Sequence, residues 1–364
     1  MCIRDSRNPS VDFADVCYTA SSGRNHFEHR IAIVADSATS AAEQLRLRLE
    51  ASSANLNGAA SNGHAENGKL VATRSKKKSP RTCWLIPEVD GHGAVSELNR
   101  LKSEFEPVKE FLDTCAARLA ESGDSFSEIV NGDSFPLTQQ YLLQAGLAQL
   151  WQSWGVEPDV VLGTGVGQYV AAATAGCLCF VDALMIVHAR EKMLAWPDPD
   201  WEAFEKLADQ FNFYPPNLPL VCSFTGEMVP IHRSLGGSYW RQHANEEIQL
   251  LKSVQATGSV AHELNVVLGL PGSQGAFQEL DEIDSNSLIE CIESSETTAR
   301  DVLVALGRLY QSSCKICLDS VGRSTGGRRR LSLPKYPFQK KRYWITEISQ
   351  FMKPEVEAKE TVQP

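Results

Sequence analysis

The chain has 364 residues, 43% of them hydrophobic and 22% charged, which is enough apolar content for a sizeable buried core. Its net charge of −10 argues against a globally basic binding surface, so we expect no nucleic-acid partner. No apolar run has the length of a membrane span, and residues 1–8 carry no apolar signal core. We therefore expect a cytoplasmic protein without a membrane partner, and the abrupt start suggests a fragment of a larger chain.

The first part of the chain predicts a small α/β unit. Residues 14–20 fit a short helix or turn, residues 30–35 a strand, and residues 37–49 an amphipathic helix. Residues 51–80 are rich in Ser, Asn, Gly and Ala and end in a basic run. We interpret them as a flexible linker with a solvated end rather than as a phosphate-binding patch.

The pattern from residue 82 onward predicts a parallel sheet. In the strongest helix pattern, Leu143, Leu147 and Trp151 recur at helical spacing before Gly155. A short apolar run, a glycine turn and another helix follow at once, which is typical of a parallel sheet covered by helices on both faces. The predicted elements are strands at 83–86 and 159–162 and helices at 95–104, 107–120, 137–154 and 168–175.

The turn at residues 163–167, Gly-Thr-Gly-Val-Gly, has the glycine spacing of a nucleophile elbow. In such a turn a strand enters a sharp bend, the nucleophile stands at the tip, and a helix begins directly behind it. The flanking glycines avoid collisions with the strand and helix, and the amide after the tip helps to stabilise an oxyanion. Because phosphate-binding loops share this pattern, the turn alone does not specify a function.

The residues around the turn make the pattern specific. Residues 153–163 read Ser-Trp-Gly-Val-Glu-Pro-Asp-Val-Val-Leu-Gly, and Gln-Tyr-Val-Ala-Ala follows the turn at 168–172. Ala-Gly at 175–176, Asp-Ala-Leu at 182–184 and Arg190 continue the pattern. This stretch resembles the acyltransferase domain of type I polyketide synthases, a relative of malonyl-CoA:acyl-carrier-protein transacylase.

Both ends of the chain extend the resemblance. Residues 11–35 are similar to the linker between ketosynthase and acyltransferase. Residues 331–344, Leu-Ser-Leu-Pro-Lys-Tyr-Pro-Phe-Gln-Lys-Lys-Arg-Tyr-Trp, are similar to the linker after the acyltransferase. Between them, the Tyr-Trp-x-x-His of residues 239–243 and the Gly-Arg-Leu-Tyr of residues 307–310 match family motifs. We expect residues 331–344 to pack back toward the first unit.

The resemblance implies an α/β fold. It consists of a parallel-sheet acyltransferase core of the α/β-hydrolase-like type without the family's small ferredoxin-like subdomain, plus a small α/β linker domain. The predicted organisation, in chain order, is a ketosynthase–acyltransferase linker at 1–50, a flexible linker at 51–80, a degenerate acyltransferase core at 81–272, a core helix and post-acyltransferase linker at 273–348, and a disordered tail at 349–364.

The reaction that the resemblance implies is transfer of an acyl group from acyl-CoA to an acyl carrier protein through an acyl-serine intermediate. The serine position falls on Gly165, and the position before it, a histidine in the family, falls on Thr164. The glutamate after the elbow is replaced by Gln168. The two oxyanion positions fall on Val166 and Val89. The chain therefore lacks the nucleophile at the tip of the turn.

The catalytic histidine of the family lies in the ferredoxin-like subdomain, which follows an arginine that binds the free carboxylate of malonyl-type substrates. Arg190 matches that arginine and is the predicted substrate-binding residue, although a structural ion pair would explain it equally well. Only residues 191–200 separate it from residues 201–204, which resemble the helix after the subdomain. The subdomain and its histidine are therefore predicted to be absent.

No other group in the sequence is an obvious replacement. His92 is the one histidine near the elbow by its position in the family pattern, and His188 falls on a different helix face from Arg190. Cys314 and Cys317 form a C-x-x-C pair without a second pair or a nearby histidine. We expect no metal site and no cofactor.

Three hypotheses remain open. The first is a degenerate acyltransferase that acts as a spacer or docking surface, with the ketosynthase domain and acyl carrier protein of the same synthase as partners and doubtful binding of acyl-CoA. The second is a working acyl-CoA:carrier-protein transferase with an unconventional nucleophile. The third is a deletion product without a role. We also expect that Gly165→Ser fits the turn at little cost in stability without restoring transfer.

Overall fold

The computed structural model describes residues 11–27, 29–56, 79–88, 93–278, 280, 282–296, 298–322 and 328–334. These residues build one six-stranded sheet with the strand order β4-β3-β2-β1-β5-β6. All neighbouring strands are parallel except the β3–β4 pair. The strands are β1 Thr82–Ile86, β2 Val160–Gly163, β3 Leu220–Cys222, β4 Glu227–Met228, β5 Leu264–Val267 and β6 Leu288–Glu290.

Helices cover both faces of the sheet. Trp84 and Ile86 of β1 belong to one buried apolar cluster, and Cys83 and Leu85, which point the other way, belong to a second. Within the described residues no helix is long and apolar enough to cross a membrane. The helices are α1 Phe13–Ser22, α2 Ala38–Leu56, α3 Ala94–Glu104, α4 Glu106–Glu121, α5 Phe126–Asn131, α6 Pro136–Ser153, α7 Gly167–Thr174, α8 Phe180–Leu194, α9 Trp201–Ala208, α10 Gly237–Asn245, α11 Leu250–Thr257, α12 Gly275–Gln278, α13 Thr298–Gln311 and α14 Leu318–Val321.

The α/β fold class and each strand and helix predicted between residues 83 and 175 are confirmed, with boundaries shifted by one or two residues. The end of the predicted core is corrected. Strand β6 pairs with β5, with Asn265 opposite Leu288, so the sheet continues past residue 272. This strand has only three residues, which is too short for its apolar pattern to be recognised in the sequence.

The strand predicted at residues 30–35 is wrong. This segment has no partner strand, and side chains of α2 bind its carbonyl oxygens instead: Arg48 Nη1 donates to Ala32 O (2.6 Å) and Gln44 Nε2 to Val34 O (3.2 Å). Helix α2 itself continues to Leu56, beyond residue 50, where the linker was predicted to begin. Residues 57–78 of that predicted linker lie outside the described residues.

Only a short connection joins α8 to α9, and no antiparallel unit lies between residues 185 and 215, all of which are described. Asp200 begins the second helix, since its Oδ1 accepts from Ala203 N at 2.9 Å. The junction leaves large apolar side chains exposed, with Trp196 at 72% and Leu194 at 46%. The predicted lack of the ferredoxin-like subdomain therefore agrees with the structure.

The described part of the C-terminal linker lies against the first helix. Leu331 N donates to Thr19 Oγ1 and Arg329 N to Asp15 Oδ1, both at 2.9 Å. Arg328 forms an ion pair with Asp12 at 3.6 Å. The predicted packing toward the first unit is thus confirmed for residues 331–334. The aromatic residues at 336–344 and the tail at 349–364 lie outside the described residues.

Candidate functional site

The backbone between β2 and α7 has the geometry of a nucleophile elbow. Gly167 N donates to Thr164 O (2.9 Å) and Gln168 N to Gly165 O (3.1 Å), which closes the tight turn. A Cβ atom on Gly163 would lie 2.5 Å from Gln168 N, and one on Gly167 would lie 2.7 Å from the carbonyl carbon of Ile86. These close approaches explain why both flanking positions are glycine.

The tip of the turn is Gly165, and a carboxylate from the neighbouring strand end covers it. Gly165 has a φ of +52°, in the left-handed region. A Cβ atom at this position would lie within 2.5 Å of both carboxyl oxygens of Glu88, the second residue after β1. The Glu88 carboxylate therefore occupies the volume in which a nucleophilic side chain would stand.

The residues next to the tip make structural contacts. Thr164 Oγ1 accepts from Glu88 N at 2.8 Å, which ties the end of β1 to the turn. Gln168 is fully buried; its Nε2 donates to Val221 O (3.1 Å) and its Oε1 accepts from Ser223 N (3.3 Å). Val166 is buried directly before α7, at the predicted oxyanion position. The other predicted oxyanion residue, Val89, and the candidate base His92 lie outside the described residues.

Arg190 of α8 lies close to Tyr169, the third residue of the elbow helix. Its Nε and Nη1 atoms are buried, and no described residue offers them a hydrogen-bond partner. Burial raises the pKa of the Tyr169 phenol, the Arg190 charge opposes that shift, and the Glu88 charge adds to it. Tyr169 is thus within electrostatic reach of both charged groups. A guanidinium beside the elbow with two buried nitrogens that no described residue pairs is suited to bind a carboxylate.

Behind the elbow helix, aromatic rings enclose His243. Tyr169 stacks on Trp240 with ring centroids 4.1 Å apart, and the His243 ring meets Tyr169 edge-on at 5.4 Å. Both ring nitrogens of His243 are buried and have no hydrogen-bond partner in the part of the chain that the structure describes. Burial lowers the pKa of His243 to about 3, and the charge of Arg190 acts in the same direction. His243 is therefore neutral at physiological pH.

His188 and Glu191 lie on another face of α8 and fix it to the start of α6. Glu191 accepts hydrogen bonds from Leu137 N (2.7 Å), Thr138 N (2.9 Å) and Thr138 Oγ1 (2.5 Å). His188 Nδ1 lies 3.2 Å from Thr138 Oγ1, and its Nε2 lies 3.4 Å from Asp124 Oδ2. Burial raises the pKa of Glu191 and lowers that of His188. As the sequence predicts, His188 does not share a face with Arg190.

Three buried cysteines in the described part of the chain are unreactive as nucleophiles. Burial raises the pKa values of the Cys115, Cys177 and Cys314 thiols to about 12, so these thiols are protonated at neutral pH. In the C-x-x-C pair, Cys314 is buried and Cys317 is exposed. Among the described residues, no group of three or more His, Cys, Asp or Glu side chains could hold a metal ion.

Comparison with known proteins finds similar sequences and similar folds in polyketide synthases. The family described as CurL-like, PKS C-terminal, matches residues 6–45. The chain resembles the solved acyltransferase domain of ZmaA with a TM-score of 0.74 and 17% identity, over 91% of this chain and 93% of that one. For the acyltransferase domain of the second salinomycin polyketide synthase module, the TM-score is 0.66 at 19% identity, over 92% and 95%. The chain has the acyltransferase fold of polyketide synthases.

Curated relatives of this acyltransferase region are polyketide synthases. It is 31% identical over 201 residues to non-reducing polyketide synthase rads2 of Floropilus chiversii, covering 51% of this chain and 8% of that protein. It is 21% identical over 421 residues to the phenolphthiocerol synthesis polyketide synthase Pks15/1 of Mycobacterium marinum, covering 93% and 19%. The acyltransferase region thus spans less than a fifth of the length of these relatives. The resemblance predicted from the motifs is confirmed.

Two features of the acyltransferase region were missed in the sequence. Glu88 lies within the loop that was compared with the family pattern, but its contact with Gly165 joins positions 77 residues apart, which no local pattern reveals. Glu191 follows Arg190 directly, and its role as an acceptor for the α6 amides becomes visible only when α6 and α8 are packed together. Arg190 and Lys192 flank Glu191 in the sequence, so no local pattern distinguishes its role.

Proposed function

We propose that this acyltransferase region does not transfer acyl groups and serves as a structural spacer and docking surface in a larger polyketide synthase. The observation that carries the proposal is Gly165 at the elbow tip, with the Glu88 carboxylate in the volume of the missing nucleophile. An elbow without a hydroxyl or thiol at its tip cannot form the acyl-enzyme intermediate that this family uses.

Serine-based transfer also needs a base. The hydroxyl oxygen attacks the thioester carbonyl, its proton passes to a histidine, and the C–S bond breaks with release of the thiol. In the described part of the chain, no histidine is hydrogen-bonded to residues 163–167. His243 is enclosed by rings, and the buried thiol of Cys177 is protonated at neutral pH. The lack of a base beside the elbow in the described residues supports the proposal independently of the lack of a nucleophile.

The structural role is supported by the way the two linkers meet. Asp12, Asp15 and Thr19 bind residues 328–331, so the segments where the chain approaches and leaves the core are held side by side. A rigid unit of this kind would set the distance between neighbouring domains of a synthase. We propose the ketosynthase domain and the acyl carrier protein of the same synthase as its partners.

Intact-protein mass spectrometry tests the proposal. The full chain is incubated with malonyl-CoA or methylmalonyl-CoA, beside an acyltransferase domain that carries serine at the elbow. We expect no mass increase in this chain and an acyl adduct in the control. We also expect a single cooperative unfolding transition, since a structural element must fold, whereas a deletion product without a role need not. An acyl group mapped to a side chain of this chain would identify an unconventional nucleophile and contradict the proposal.

A further inference from the structure

Glu88, Thr164 and Gly165 are in mutual contact at the elbow. Glu88 N donates to Thr164 Oγ1 at 2.8 Å, and the Glu88 carboxylate covers the Cα of Gly165. Because a Cβ atom at residue 165 would lie within 2.5 Å of both carboxyl oxygens, the carboxylate in this position requires glycine at the tip. The three residues therefore form one arrangement.

Hydrogen bonds from helix α6 fix the backbone next to Glu88. Two buried side chains of α6, Gln140 and Gln144, donate from Nε2 to Pro87 O at 3.2 and 2.6 Å. The carboxylate that follows lies at the elbow tip, immediately before the N-terminus of α7, where the helix dipole favours negative charge. Packing thus fixes the backbone directly before Glu88, whose side chain is exposed.

We propose that Glu88 is a built-in carboxylate occupant of the elbow that excludes acyl thioesters bearing a carboxylate of their own from Arg190. The side chain fills the space over the tip, and its charge repels a second carboxylate brought into the same site. Tyr169 supports this proximity, because its ionisation responds to both Glu88 and Arg190. The proposal goes beyond the absence of transfer, since it gives the elbow an occupant and names the ligand class that this occupant keeps out.

Calorimetric titration of the full chain with malonyl-CoA tests the exclusion. We expect Glu88→Ala to bind at least about tenfold more tightly than the unchanged chain, and the additional change Arg190→Met to remove that gain. Glu104→Ala is the matched control, since it removes one negative charge from an exposed position at the end of α3. It should bind like the unchanged chain. Equal binding by the unchanged chain and a folded Glu88→Ala variant would overturn the proposal.

A thermal double-mutant cycle tests the contact without any ligand. Gly165→Ala should lower the melting temperature by several degrees in the unchanged chain, and by a clearly smaller amount in the Glu88→Ala background, where the space is free. The left-handed φ of residue 165 lowers stability in both backgrounds and cancels in the comparison. Additive shifts would overturn the proposal. An acyl adduct on the unchanged chain would instead contradict the proposed lack of transfer, so the two failures are distinguishable.

Discussion

Helix α8 has two polar faces that differ in how their groups are paired. On one face Glu191 accepts three hydrogen bonds from the start of α6, and its neighbour His188 lies beside Thr138 and Asp124. On the other face Arg190 leaves two buried nitrogens without a partner, next to His243, which leaves two more. Glu191 is buried and Arg190 is half-buried, although the Nε and Nη1 atoms of Arg190 are shielded from solvent.

Hydrogen bonding distinguishes the polar groups that stabilise the fold from those that do not. A buried polar group lowers stability unless it is hydrogen-bonded, so a fully paired carboxylate contributes to architecture. A guanidinium without a partner is retained at a cost to stability, which is typical of a site that binds or once bound a ligand. We therefore infer that Glu191 stabilises the fold and that Arg190 belongs to the candidate site. The following experiments test this inference.

The largest effect is expected from Glu191→Ala. It leaves Leu137 N, Thr138 N and Thr138 Oγ1 without their acceptor, which should lower the free energy of unfolding by about 3 kcal/mol. Glu191→Gln keeps one acceptor oxygen, so its free energy of unfolding should fall by about half as much. Chemical denaturation of both variants measures the difference. A loss below about 1 kcal/mol for the alanine variant would show that Glu191 is not part of the architecture.

His243→Phe should change the pH dependence of stability. The folded pKa of His243, about 3, lies below its ordinary value of 6.5, so between these values the unfolded chain binds a proton that the folded chain does not. Stability therefore falls as the pH falls through this window. The free energy of unfolding of the variant, relative to that of the unchanged chain, should be about 2 kcal/mol higher at pH 5 than at pH 7. Parallel stability curves between pH 7 and pH 5 would contradict the low pKa.

Gly165→Ser should lower the free energy of unfolding by about 1–2 kcal/mol, because a left-handed φ is strained for serine and its side chain displaces the Glu88 carboxylate. The sequence-based expectation that serine fits at little cost is therefore wrong. Acylation by malonyl-CoA should remain absent, since the new hydroxyl has no base. Denaturation and intact-protein mass spectrometry measure the two outcomes. An acylated serine would show that another group, with His92 as the first candidate, removes its proton.

The smallest effect is expected from Arg190→Met, which replaces an unpaired guanidinium by an apolar chain of similar length. The free energy of unfolding should stay within about 0.5 kcal/mol, in contrast with its neighbour Glu191. Removing the charge should also raise the pKa of His243 toward its ordinary value, although burial still keeps it low. Thermal unfolding and histidine titration by NMR measure both. A fall in the free energy of unfolding of more than about 2 kcal/mol would show that Arg190 stabilises the fold.

Local patterns predicted the central part of the fold well. Helix α6 follows from apolar spacing that ends at Gly155, and the turn at residues 163–167 follows from glycines that only a close backbone approach explains. Strand β6 and the extended segment at residues 30–35 were not predicted correctly. The first is three residues long, and the second has β-type composition but no neighbouring strand with which to pair.

The sequence by itself predicted the resemblance to polyketide synthase acyltransferases and the elbow with glycine at its tip, because these depend on residue types at fixed spacing. It also revealed the shortened connection after Arg190, since a missing subdomain is a missing length of chain. Only the tertiary structure decided what fills the elbow and which face of α8 is paired. Glu88 meets Gly165, and Glu191 meets Thr138, across long stretches of sequence. Such contacts depend on how strands and helices pack, and packing is not encoded in any local pattern.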